Sequence, residues 1–240
     1  MLVVGLGPGS PLDRTVRAIQ AINQSSVVVG YTPYVESLAD LTDGKQLIVS
    51  GMKQERERCI AALQAADEGA VVALVSSGDP GVYGMAGLAL ELAQARQFNC
   101  AIEIIPGISA ANTAAARLGA PLMLDYACIS LSDLLIPWER IRRRIELLAE
   151  ADMALALYNP RSTKRIKQLE ETVEIMLRHR PATTPVGIVT AISAPEETIT
   201  VTSLGSLLEQ TITMRSLVII GNSDTREIGG LLVTARGYCL

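Results

Sequence analysis

The sequence predicts an α/β protein made of two α/β domains, each on a mainly parallel or mixed sheet. Short apolar runs rich in β-branched residues alternate with segments of helical periodicity through the first half of the chain, as a βαβ series requires. Those runs are apolar throughout, like strands covered by helices on both faces. The chain has 240 residues and no low-complexity tract or flexible linker, which suits one large domain or two of about 120 residues. A segment of small residues ends at Gly119-Ala120-Pro121 and divides the chain into 1–118 and 119–240.

The elements follow in order. Leu2 to Val4 is a strand leading into the loop Gly5-Leu6-Gly7-Pro8-Gly9. Ser10 is placed as an N-cap with Pro11 at the first helical position, and Leu12, Val16, Ile19 and Ile22 as the apolar face of one helix. Val27 to Val29 and Leu47 to Val49 are the next strands, followed by a helix near residues 55–68 with Cys59, Ile60 and Leu63 inward. The strand at Val71 to Val75 runs into Ser76-Ser77-Gly78-Asp79-Pro80-Gly81-Val82-Tyr83-Gly84, then a helix marked by Val82, Met85, Leu88 and Leu92. Ile102 to Ile105 closes the first series at Pro106-Gly107-Ile108-Ser109-Ala110. In the second half, Ala127 to Leu131 and Met153 to Leu157 are strands, each followed by a helix: one carries Trp138, Ile141, Ile145 and Leu148, the other Ile166, Leu169, Val173 and Met176. Three strands near 185–190, 198–202 and 217–220 complete the prediction.

Composition excludes several classes of function. A net charge of −4 and 3% aromatic residues argue against nucleic-acid partners, which need a basic face or stacking platforms. The long apolar stretch from Ile104 to Leu124 is interrupted by Pro106, Asn112, Arg117 and Pro121, whereas a membrane span needs about 20 predominantly apolar residues. No charged start or cleavage site precedes the first strand, so a cytoplasmic protein without a signal peptide is expected. Cys59, Cys100, Cys128 and Cys239 match no metal or disulfide spacing, and His179 is the one histidine, so no metal site is expected.

The loop at 76–84 is the strongest local signal. A plain strand-to-helix turn needs one glycine and a cap; this one has three glycines, an acid, a proline and a tyrosine. Glycine lets backbone approach a ligand closely, and ligands of open α/β sheets sit at the carboxyl ends of strands. The first loop fails as a dinucleotide fingerprint. Ser10 stands where the third glycine belongs, and Gly30-Tyr31 where an acid would hold a ribose. That disfavours a nicotinamide-dependent oxidoreductase.

Five blocks carry a resemblance: Gly30-Tyr31-Thr32-Pro33-Tyr34, the stretch 76–87, Leu118-Gly119-Ala120-Pro121-Leu122, Ile129-Ser130-Leu131-Ser132-Asp133 continuing to Trp138, and Tyr158-Asn159-Pro160-Arg161-Ser162. With them the chain, from residue 2 to about residue 220, resembles the tetrapyrrole methylases, and within that family its ring-contracting C(17)-methyltransferase branch. The resemblance implies the class III methyltransferase fold, with S-adenosylmethionine in the cleft between two domains. It also implies methylation of a corrin precursor at carbon 17 coupled to ring contraction, in cobalamin biosynthesis, by a homodimer.

Block by block it implies cofactor contacts from Pro8, Ser77, Gly78, Asp79, Val82, Tyr83, Ser109, Ala110, Tyr158 and Asn159, with Gly187 and Leu217 added from later strands. Tyr31, Ser130, Ser132, Asp133 and Arg161 are the candidates for substrate contact; Arg161 is placed to meet an acidic arm, and residues 140–144 form a solvated basic helix face. No catalytic residue is assigned. Two departures stand out. Leu124 occupies a position where the family usually has His, and Ala191-Ile192-Ser193-Ala194-Pro195-Glu196-Glu197 replaces a Gly- and Arg-rich loop. They leave a non-catalytic tetrapyrrole carrier open; another methylase of this fold is a separate alternative, against which the Ser130–Trp138 and Tyr158–Ser162 blocks count.

Overall fold

Five apolar runs pair side by side in the first half of the chain: β1 (Leu2–Gly5), β2 (Val27–Tyr31), β3 (Gln46–Ser50), β4 (Val72–Ser76) and β5 (Glu103–Ile105). The computed structural model describes residues 1–239 and divides into two units, Met1–Ala110 and the residues from Ala111 onward.

In the first unit the strands form one parallel sheet in the order β3-β2-β4-β1-β5. Successive side chains point to opposite faces, and on the central strands β1, β2 and β4 both faces are covered, whereas the edge strands β3 and β5 are largely exposed. Val3, Val27, Val29, Val72 and Leu74 pack under α3 (Glu55–Asp67) and α4 (Ala86–Ala95). Leu2, Val4, Val28, Ala73 and Val75 pack under α1 (Val16–Asn23) and α2 (Thr32–Glu36). Two-sided burial is the reason these strands read as continuous apolar runs. β1 and β4 are neighbours, yet β1 feeds β2 on one side and β4 feeds β5 on the other. Their carboxyl ends are therefore a topological switch point, where open α/β sheets bind ligands.

Two helix starts differ from the sequence expectation. Ser10 caps a single 3₁₀ turn, Pro11–Asp13, and the α-helix begins at Val16 after a second cap, Thr15, whose Oγ1 accepts the Ala18 amide at 3.0 Å. Leu12 and Val16 are consequently exposed, and the buried face is Ala18, Ala21 and Ile22. The helix expected from Val82 begins at Ala86, because Tyr83 adopts φ 54° and the loop closes through Ala86 N–H to the Pro80 carbonyl at 2.9 Å.

The second unit contains α5 (Ala110–Leu118, all but its first residue), β6 (Gly119–Ala120), β7 (Tyr126–Ser130), α6 (Trp138–Glu150), β8 (Ala154–Tyr158), α7 (Lys167–His179), β9 (Pro185–Thr190), β10 (Thr198–Ser203), β11 (Ser216–Ile220), β12 (Thr225–Ile228) and β13 (Leu231–Thr234). Its main sheet is mixed, in the order β10-β9-β11-β8-β7; only the β7–β8 pair is parallel. One face packs Leu155, Leu157, Val186, Ile188, Val218 and Ile220 against Ile141 and Ile145 of α6 and Leu169, Val173 and Met176 of α7. On β9, a Cβ at Gly187 would stand 2.4 Å from Leu118 Cδ1, so glycine there makes room for α5. A smaller sheet, β12-β13-β6, was not visible in the sequence; β13 runs parallel to the two-residue strand β6. No helix among the described residues is long and apolar enough to cross a membrane.

Candidate active site

At the switch point of the first unit three loops meet, two of them through backbone hydrogen bonds. Leu6 N–H donates to the Ser76 carbonyl at 2.9 Å, Gly7 N–H to the Gly78 carbonyl at 3.1 Å, and Gly78 N–H back to the Gly7 carbonyl at 2.7 Å. This short antiparallel bridge joins the ends of β1 and β4. The loop after β5 joins them by close approach: a Cβ on Gly107 would lie 2.2 Å from Gly78 O, and one on Gly5 would lie 2.6 Å from Gly107 N. Both distances are shorter than any side-chain contact, so the junction requires glycine.

The Asp79 carboxylate locks it. One oxygen accepts Gly81 N–H at 2.8 Å and the other accepts Gly107 N–H at 3.1 Å, tying the β4 loop to the β5 loop. Charge-assisted bonds of this kind are about twice as strong as neutral ones. Tyr83 holds a left-handed backbone and is exposed, and Val82 is half-buried. Pro8, Ser77, Gly78, Asp79, Val82, Tyr83, Ser109 and Ala110 all belong to these three loops or to the residues that close them. The sequence candidates of this unit are thus brought together at one sheet edge.

Further along that edge, Tyr31 ends β2. Its ring meets Tyr34 edge-on, centroids 5.2 Å apart, and the Arg58 guanidinium lies 5.8 Å from its centroid. Arg58 was not legible as a site residue: in Glu55-Arg56-Glu57-Arg58 it looks like part of a solvated helix face. In the fold it is buried and donates to Ser50 Oγ and to the Gly51 carbonyl, both at 2.8 Å.

The second unit gathers its own set where β7 and β8 end. Tyr158 Oη accepts the Ala111 amide at 3.0 Å, satisfying an otherwise unpaired N–H in the first turn of α5. Asn159, at φ 49°, donates from Nδ2 to Ser130 Oγ at 3.0 Å. Arg165, also missed in the sequence, donates to the Asn159 carbonyl at 2.6 Å. Ser130 Oγ accepts Ser132 N–H at 3.3 Å, and Asp133 accepts from Gln168 at 2.8 Å. Arg161 is half-buried in the same turn. Leu134 and Leu135 project from the loop, the latter 93% exposed.

β9 runs in the same direction as β8, so residues 191–197 lie at this end too. Glu197 braces that segment, accepting Arg117 Nε at 3.0 Å and Ser193 N–H at 2.6 Å, while Ala191 and Ser193 take left-handed backbone. Leu217 precedes Val218, the partner of Leu157, and therefore sits at the Tyr158 end. Gly187 lies deeper in β9, beneath Leu118. Leu124 is half-buried between β6 and β7. His179, the last residue of α7, is exposed at the helix end, where a positive charge is favourable.

The four free thiols differ in burial, from buried Cys59 to exposed Cys239. Burial pushes Cys59 up to about 11, leaving it protonated and unreactive at neutral pH. Alkylation of the native protein at mild pH is expected to label the exposed Cys239 first, and Cys59 only after denaturation. Peptide mapping by mass spectrometry checks the order, and early labelling of Cys59 would contradict it.

Comparison with known proteins adds a family match, two relatives and a solved structure. A family model described as Tetrapyrrole (Corrin/Porphyrin) Methylases matches residues 1–208. The chain is 44% identical over 238 residues to the probable cobalt-factor III C(17)-methyltransferase of Salmonella typhimurium, covering 99% of each. It is also 44% identical over 242 residues to the cobalt-factor III methyltransferase of Priestia megaterium, covering 99% of this chain and 45% of that longer protein. Among solved structures, the methyltransferase CobJ superposes with a TM-score of 0.93 at 37% identity, covering 98% of both chains.

Proposed function

The chain belongs to the tetrapyrrole (corrin/porphyrin) methylases and is a methyltransferase, and from this we propose that it methylates carbon 17 of a cobalt-containing corrin precursor, with ring contraction, using S-adenosylmethionine. The single observation that carries the choice of substrate is the 44% identity, over nearly the full length of both chains, to a relative named for cobalt-factor III. A metal-free precursor of the same ring is the second reading, since the sequence resembles enzymes of both routes.

The donor suits the glycine junction. Gly5, Gly78 and Gly107 present backbone without side chains, and small, polar Ser77 and Ser109 flank it. When bound, S-adenosylmethionine supplies an electrophilic methyl group on a sulfonium. The chain's task is then alignment: holding reactants in line at about 3–3.5 Å can supply roughly 7–11 kcal/mol of the barrier. The loops of the first unit hold the donor's polar ends, with Asp79 keeping them in register. Tyr158 and Asn159 edge the adenine, each fixed by its hydrogen bond. Ser130, Ser132 and Asp133 meet the substrate, and Arg161 meets one of its acidic arms. The exposed Leu134 and Leu135 give the apolar macrocycle a surface that excludes water. The reading carries with it a cytoplasmic homodimer, as the family resemblance implies.

Incubation with methyl-labelled S-adenosylmethionine, and with cobalt-loaded or metal-free precursor, tests the proposal by product mass. Methyl gain on the cobalt form is expected. Gain on the metal-free form alone selects the second reading, and tetrapyrrole binding without methyl uptake by either form leaves a carrier.

A further inference from the structure

Three arginines are buried to less than a tenth of their surface: Arg14, Arg58 and Arg180. Two have an acidic partner. Arg14 pairs with Asp40 at 2.7 Å, and Arg180 with Asp152 at 3.4 Å. Arg58 has none among the described residues, although it is only 6% exposed. Its partners are neutral: Ser50 Oγ, the Gly51 carbonyl, the Met85 thioether at 3.9 Å and the face of Tyr31. Glu55, three residues earlier on the same helix, turns its carboxylate to the Lys53 amide at 3.2 Å. A buried charge is costly unless it is paired, and this one lies at the ligand-binding edge of the sheet.

We infer that Arg58 is the buried charge of a carboxylate subsite whose open side is the half-buried Tyr31. The inference rests on the tetrapyrrole reading above and assigns this corner of the first unit to one acidic arm of the substrate. Position favours the arm over the amino-acid carboxylate of the methyl donor. In the order β3-β2-β4-β1-β5, Tyr31 stands two strands from the β1 loop, about 10 Å at the usual strand spacing, a reach suited to a macrocycle with side arms. The cover is adaptable: NH1 of Arg58 is capped only by a thioether, which moves easily aside. Tyr31 supplies a hydroxyl donor, and the guanidinium behind it supplies charge that solvent screens poorly.

The test uses the full chain and two probes, a metal-free octacarboxylic porphyrin and S-adenosylhomocysteine, each titrated calorimetrically at low and moderate salt. Arg58→Met is expected to weaken the porphyrin about tenfold or more at both salt concentrations, as loss of a poorly screened charge requires, while S-adenosylhomocysteine binding stays within about twofold. Arg58→Lys, which keeps the charge, is expected to restore most of the affinity. Tyr31→Phe, with the ring retained, is expected to lose up to about tenfold for the porphyrin alone. Loss confined to S-adenosylhomocysteine overturns the assignment by moving the carboxylate to the donor. Equal loss of both probes, unrepaired in Arg58→Lys, overturns it in favour of a structural role. Unchanged affinities in Arg58→Met and Tyr31→Phe overturn the subsite outright. A wild-type chain that transfers methyl groups while its variants keep full porphyrin affinity sinks the subsite alone; one that binds no porphyrin sinks the functional reading with it.

Discussion

Gly107→Ala is expected to cost about 1–3 kcal/mol of stability through overpacking, and about a hundredfold or more in methyl transfer. Its Cβ would stand 2.2 Å from Gly78 O and 2.8 Å from the Gly5 carbonyl carbon. These are backbone atoms that no side-chain rotation can move. Relief must come from spreading three loops, and a displacement of about 1 Å at a site that works by alignment costs roughly a hundredfold. Gly87→Ala is the matched control: nothing lies within 4 Å of its Cβ, and alanine in the helix α4 is expected to stabilise by about 0.5–1 kcal/mol. Urea unfolding and single-turnover methylation measure both. Wild-type behaviour in Gly107→Ala would show that the loops do not depend on this contact.

Asp79 carries the second large effect. Its two oxygens satisfy Gly81 N–H and Gly107 N–H, and bonds to a charged acceptor contribute about 1.5–3 kcal/mol each. Asp79→Asn keeps the shape and one acceptor; Asp79→Ala keeps neither. Stability and affinity for S-adenosylhomocysteine are both expected to fall in the order wild type, Asn, Ala, with the alanine variant losing roughly a hundredfold in affinity, about 2.7 kcal/mol. Equal affinity in wild type and Asp79→Ala would remove the brace from the mechanism.

The first unit was legible because the three central strands of its sheet are buried on both faces. Val27-Val28-Val29 sends its outer residues to one core and its middle residue to the other, so a strand of three valines has one sensible place. The unit's glycine-rich strand ends are the loops that close on one another at the switch point. The start of α1 was less legible: Ser10 and Thr15 are both good caps, and only the folded chain shows that the first serves a 3₁₀ turn. The strand β6 has two residues and no periodicity to detect. Arg58 escaped notice for a different reason. It belongs to the buried stripe of α3 with Cys59, Ala62 and Leu63, but an arginine at the end of the alternating charge run Glu55-Arg56-Glu57-Arg58 reads as solvent-facing. Burial of a charge is decided by what surrounds it, and local spacing does not carry that information.

The hairpin β12–β13 reaches back to β6, and Thr234 Oγ1 donates to the Pro121 carbonyl at 2.6 Å across more than a hundred residues of chain. Contacts so distant in sequence form late, since the intervening chain must be ordered before they are rewarded. During synthesis the first half, whose five strands are complete by Ile105, has its whole sheet available while the rest is still emerging. The other half must wait for its final hairpin, and until then Gly119 and Ala120 have no neighbour to pair with. A chain released early should therefore hold a finished first lobe joined to an unfinished second one.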